Sequence, residues 1–121
     1  MVIYVIRHGE TDWNTKHWLQ GATDIPLNQN GIEVAEITAE ALKEVPFDVI
    51  FSSPLQRAHQ TAEILRRDRK IPLIVDERLR EVSFGSFEGL CCMGDGYNIP
   101  DPNFRNFFED PAHYTPPEDG E

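Results

Sequence analysis

Apolar positions along the chain fall into short runs and three-and-four spacings, separated by polar stretches. Val2-Ile-Tyr-Val-Ile6 is β-branched or aromatic throughout and reads as a buried strand, the first of the chain. It stops abruptly on Arg7-His8-Gly9. Residues 9–29 are polar and turn-forming, with Trp13, Trp18 and Leu19 as scattered anchors, a long loop of the kind that carries function. Asn28 is placed to cap a helix on which Ile32, Ala35, Ala39 and Leu42 share one face, and Pro46 ends it. Asp48-Val-Ile-Phe51 predicts a second strand. Ser53 follows as an N-cap, with Pro54 at the first helical position and Gln56 completing a capping box. That helix runs through Ala58, Ala62 and Leu65 to the basic cluster Arg66, Arg67, Arg69 and Lys70, which reads as a solvated helix end suited to the dipole. Pro72 to Val75 is the third strand. Strand, helix, strand, helix, strand predicts parallel βαβ units. Beyond Glu81 the pattern loosens: Phe84, Phe87 and Leu90 among glycines suggest a packed loop, and Phe104, Phe107 and Phe108 share a face of a short helix before Pro111.

A chain of 121 residues is one small domain at most. Its 40% hydrophobic content is enough for a core. No apolar run approaches the ~20 residues of a membrane span, and no signal peptide is visible. The two cysteines, Cys91 and Cys92, are adjacent, so they neither staple distant segments nor show metal-ligand spacing. They read as inert thiols in a reduced, cytoplasmic setting. A net charge of −10 argues against nucleic acid or an anionic membrane as partner. Residues 101–121 hold six acidic side chains against one arginine, and four of the nine prolines, which predicts an irregular surface arm outside the core.

All three predicted strands end in candidate chemistry, and parallel topology brings such ends to one edge of a sheet. The first delivers Arg7 and His8. The second delivers Ser52 and Ser53, then Arg57 in the first turn of a helix whose N-terminus favours an anion. The third leads to Glu81. Two arginines, a histidine and a carboxylate together describe a phosphoryl-transfer pocket: arginines neutralise phosphoryl oxygens, and histidine attacks phosphorus. A carboxyl group beside phosphate is disfavoured in its charged form, so it can donate a proton to the leaving oxygen. The competing readings are plainer. Glu81 could pair with Arg78 or Arg80, Asn14 and Gln20 could serve only to satisfy backbone groups, and Trp13 and Trp18 could simply pack.

The motifs Arg7-His-Gly-Glu-Thr-Asp-Trp-Asn14, Gln20-Gly21, Asp24-Ile-Pro-Leu-Asn28 with Gly31, Ser52-Ser-Pro-Leu-Gln-Arg57 with Thr61-Ala62, and Leu79-Arg-Glu81 with Gly85 and Glu88-Gly89 together resemble the histidine phosphatase superfamily, the phosphoglycerate mutase-like group. They run in order from residue 2 to about residue 90, and Pro111-Ala-His-Tyr-Thr-Pro-Pro117 is similar to a later family segment. The resemblance implies a three-layer α/β/α fold with a mostly parallel sheet. Residues 1–121 then form one domain, its N-terminal part: a βαβαβ core and catalytic loop over 1–90, and an acidic, proline-rich arm over 91–121. It implies that His8 becomes a phosphohistidine, that Arg7 and Arg57 hold the phosphate with help from Asn14 and Gln20, and that Glu81 donates the proton. Neither metal nor cofactor is expected. The Gln20 and Glu88 motifs look more like the broad phosphatase branch than the glycolytic mutases.

The family's second catalytic histidine, at the end of a later strand, has no counterpart here. His17, His59 and His113 lack that context, and the chain reaches Glu121 where a further family segment would begin. The expectation is a fold incomplete at its C-terminus, in a chain that is oligomeric or completed by another chain. Two function classes stay open: a phosphomonoesterase acting on a small phosphorylated metabolite (or its mutase variant), and a non-catalytic phosphate-binding homologue.

Overall fold

The computed structural model describes every residue from Met1 to Glu121 and divides them into two units. The first comprises residues 1–12 and 24–80, the second residues 13–23 and 81–121. A short helix, α1 (Asp12–Thr15), spans the junction in sequence.

In the first unit, α2 (Gln29–Ala41) starts where the sequence predicts. The Asn28 side-chain oxygen accepts the Gly31 amide at 2.8 Å, and the buried face is Gly31, Ala35 and Ala39. Small residues at a spacing of four let α3 (Gln56–Arg66) pack closely on that face. Strands β1 (Ile50–Ser52) and β2 (Leu73–Val75) pair in parallel, with Ile50 opposite Leu73 and Ser52 opposite Val75, and α3 is the crossover between them. The architecture is therefore α/β.

Four expectations are corrected here. Val2–Ile6 forms no strand: its backbone groups join no ladder, and Val2 and Val5 are 77% and 93% exposed. A β-rich run becomes a strand only when a neighbouring edge takes its hydrogen bonds, and the sheet has two strands only. Tyr4 is held at its ring, edge-on to Phe47 at 5.2 Å. Secondly, Ser53 does not cap α3. Leu55 occupies the cap position, Ser53 Oγ accepts the Leu55 amide at 3.3 Å, and the Gln56 amide goes to Asp24 Oδ1 at 2.7 Å. A carboxylate from another segment outcompetes the local hydroxyl because it carries full charge at the positive helix end. Thirdly, the basic cluster is not merely solvated. Arg69 donates to the carbonyls of Leu42 (2.6 Å) and Val45 (2.5 Å) and lies over the Phe47 ring, while Arg67 pairs with Glu40 at 2.9 Å. The carbonyls left open beyond α2 thus find a cation.

The fourth correction concerns the arm. In the second unit Phe104 is 1% exposed and forms a core with Leu19, Phe84, Phe87 and Ile99. Asp101, one of the acidic residues that suggested an arm, caps a 3-10 turn over Pro102–Arg105 and accepts the Asn103 amide at 2.8 Å. α4 (Asn106–Glu109) follows directly. Near the end, Asp119 accepts the Ser86 amide and Glu121 the Ser83 amide, at 3.0 and 2.7 Å. Residues 17–20 zip antiparallel to 89–92 through Leu19 N to Leu90 O (2.9 Å) and Gly89 N to Leu19 O (2.8 Å). Trp13 and Trp18 pack edge-to-face at 5.7 Å. Both cysteines are free thiols, and burial pushes that of Cys92 up, with Cys91 adding to the effect. No helix is long and apolar enough to cross a membrane.

Candidate functional site

His8 is positioned by the peptide that follows it. Its Nδ1 lies 2.7 Å from the Gly9 carbonyl oxygen. A carbonyl can only accept, so Nδ1 carries a proton, and in the neutral ring the lone pair a nucleophilic imidazole requires is then on Nε2. The loop continues onto the start of α2: the Asn28 amide donates to Glu10 O at 2.9 Å, and Glu10 Oε1 accepts from Asn28 Nδ2 and Asn30 Nδ2 at 3.0 and 3.2 Å. Gly9 and Gly31 permit this approach, since a Cβ on Gly9 would lie 2.7 Å from the Gly31 carbonyl oxygen.

Arg57 enters from the first turn of α3 and is 2% exposed. One side chain links it to the His8 loop. Thr61 Oγ1 accepts the Gly9 amide at 3.0 Å and donates to the Arg57 carbonyl at 2.7 Å. Arg7 is exposed beside a cavity of about 80 Å³ whose walls include His8, Ala35, Thr61 and Leu65. Arg7, His8 and Arg57 thus belong to one unit. The anion-favouring N-terminus of α3 already holds the chain's own Asp24 carboxylate.

The other expected site residues lie in the second unit. Asn14 sits in α1, Gln20 is buried beside the zipped segment, and Glu81 is exposed, its Oε1 accepting the Val82 amide at 2.9 Å. Glu81 makes no ion pair with Arg78 or Arg80; Arg78 instead pairs with Asp76 at 2.5 Å. The segments bearing Gln20 and Glu81 converge on Glu88. Its Oε1 accepts the Ala22 and Phe84 amides, each at 2.9 Å, and its Oε2 accepts from the Thr23 hydroxyl. Gly21 (φ +52°) passes against that carboxylate where no side chain fits. Thr61, Glu88 and Asp24 stood in the sequence only as parts of motifs. Thr61's place one helical turn after Arg57 was the available clue to its role.

Of the remaining histidines, His59 lies 3.9 Å from Glu63 on α3 and His113 is 2.8 Å from Asp110. His17 is exposed, with φ +56°. No three His, Cys, Asp or Glu side chains converge as metal ligands would.

In this α/β unit a buried arginine is tied through Thr61 to the loop of a histidine protonated at Nδ1, residue types suited to an anion such as phosphate. The chain belongs to the histidine phosphatase superfamily (branch 1), whose sequence profile matches residues 3–121. It is 42% identical over 104 residues to an uncharacterized phosphatase, PhoE, of Bacillus subtilis, covering 86% of this chain and 54% of that protein. It is also 42% identical over 86 residues to a probable phosphoglycerate mutase, GpmB, of Proteus mirabilis, covering 71% of this chain and 40% of that one. The solved structure of Bacillus stearothermophilus YhfR matches with a TM-score of 0.84 at 40% identity, over 95% of this chain and 56% of that chain. The chain therefore spans about half the length of the relatives it matches.

Proposed function

We propose that the chain carries the phosphate-handling half of a phosphomonoesterase that works through a phosphohistidine on a small phosphorylated metabolite. The observation that carries this reading is the fixed Nδ1–H of His8, in a loop tied through Thr61 to the buried Arg57. Nε2 of His8 attacks phosphorus as the P–O ester bond breaks. Arg7 and Arg57, with Asn14 and Gln20, offset charge on the phosphoryl oxygens, and the Glu81 carboxyl passes its proton to the leaving oxygen. Water then attacks the phosphohistidine while the Glu81 carboxylate takes its proton, which releases phosphate and restores both residues. The free thiols Cys91 and Cys92 support a reducing, cytoplasmic setting. The test is hydrolysis of an aryl phosphate by the purified chain beside His8→Ala. Turnover that vanishes in the variant supports the reading. A chain that neither hydrolyses the ester nor binds orthovanadate in a His8-dependent way refutes it.

A second reading is favoured by the positions of His59, beside Glu63 on α3, and His113, beside Asp110 in the other unit, neither of them placed with His8. In it the chain binds phosphate without turnover, and vanadate binding persists with no hydrolysis. On a separate observation we propose self-association. Val2–Ile6 is apolar, uncharged and bare of backbone partners in a chain of net charge −10, so two copies can meet there with little repulsion and satisfy one another's edges about a twofold axis. A monodisperse monomer by light scattering refutes it.

A further inference from the structure

We propose that Thr61 is a positioning residue for His8: its hydroxyl fixes the Gly9 peptide and thereby holds the imidazole in the tautomer that carries its proton on Nδ1. The inference concerns the geometry of the site, and its consequence for turnover rests on the phosphohistidine reading above.

The hydroxyl has one proton and two lone pairs. The Arg57 carbonyl, 2.7 Å away, can only accept, so it receives the proton. The Gly9 amide, 3.0 Å away, can only donate, so it meets a lone pair. Both roles are settled by the partners. Thr61 is 6% exposed, so water is poorly placed to replace either bond. A helical threonine that bonds the carbonyl four residues back is common, and alone it would be local backbone solvation. The bond to Gly9 is different in kind, because it spans 52 residues and ends on the loop that carries His8. Gly9 is then held at its amide by Thr61, and the next residue, Glu10, is held at its carbonyl by the Asn28 amide. Between those anchors stands the Gly9 carbonyl, the group that takes the Nδ1 proton. The pocket needs this constraint because a histidine free of it favours the proton on Nε2, which removes the nucleophilic lone pair.

The test uses the full chain labelled with 15N-histidine. Long-range 1H–15N correlations are recorded at about pH 8.5, above the ordinary imidazole range, and the His8 resonances are those lost in His8→Ala. Wild type is expected to show His8 protonated at Nδ1. Thr61→Val keeps the shape and removes the hydroxyl, and is expected to move His8 mainly to the Nε2–H form, while Thr61→Ser restores the wild-type pattern. If Thr61→Val does not fold, Thr61→Ala serves in its place. In aryl phosphate hydrolysis the variant lacking the hydroxyl is expected to lose about tenfold or more in kcat with KM within about threefold, as for a misplaced reacting group. A wild-type His8 protonated at Nε2, or a tautomer that does not respond to loss of the hydroxyl, overturns the proposal. A tautomer that shifts as expected in a protein without turnover upholds it and sinks only the phosphatase reading.

Discussion

Replacing Gly31 by alanine sets two effects of known sign against each other. Gly31 is the third residue of α2, and glycine within a helix is less favourable than alanine by about 0.5–1 kcal/mol, so propensity alone predicts a gain. The new Cβ, however, would lie 2.7 Å from the Glu10 amide nitrogen and 3.0 Å from its carbonyl carbon, and closer still to its oxygen. These are main-chain atoms two residues beyond His8, held by Asn28, and they cannot swing aside as a side chain tip can. Overpacking of this kind costs about 1–3 kcal/mol. The clash wins, with a net loss of roughly 1–2 kcal/mol, and displacement of the His8 loop should weaken vanadate binding as well. Urea denaturation followed by far-UV circular dichroism measures the first effect. Glu36→Ala, exposed on the same helix, is the control and is expected to stay within about 0.5 kcal/mol of wild type. A Gly31→Ala chain as stable as wild type, or more so, would show that the two backbones do not approach as described.

Three further outcomes follow from the packing and the charges. Phe104→Ala, at the least exposed ring of the aromatic core, should cost about 3–5 kcal/mol; a loss under about 1 kcal/mol in urea titration would mean that residues 101–121 are not core. Asp24→Ala should destabilise by about 1 kcal/mol through the α3 amide it leaves open, with Asp24→Asn recovering most of this; equal stability of all three proteins contradicts the cap. Hydrogen bonds from Arg78 hold the Asp76 carboxyl down from an ordinary 3.8 to about 2. A depressed folded pKa contributes stability above the ordinary value, lost as pH falls from about 4 toward 2. A carbon-detected titration placing Asp76 near 4 in the folded chain would refute the pairing.

The elements that depend on nearest neighbours in sequence were readable. The Asn28 cap, the small-residue face of α2, the α3 crossover and the Phe104 helix all follow from spacing over a few residues. Reading failed where a distant segment settles the matter. Val2–Ile6 has every local mark of a strand, yet a ladder requires a second edge. The cap on α3 comes from Asp24, 32 residues away, and no local rule ranks it above Ser53. The acidic, proline-rich composition of 101–121 hid Phe104, whose burial needs Leu19 and Phe84. The site divides in the same way. Arg7, His8 and Arg57 were legible as residue types at the ends of runs, whereas Thr61 and Glu88 draw their roles from bonds spanning 52 and 65 residues.

Trp13 and Trp18 pack edge-to-face in the second unit, and the chain has no other tryptophan. Emission excited at the red edge of the protein spectrum therefore reports only on the unit that carries Gln20 and Glu81. The unit that carries His8 and Arg57 has Tyr4 as its sole intrinsic fluorophore of any strength, so it is nearly dark. Its visible signature is instead the ellipticity of α2 and α3, the two longest helices. The protein is thus already labelled for two-colour observation. A melting curve drawn from fluorescence alone would describe the unit that does not hold His8.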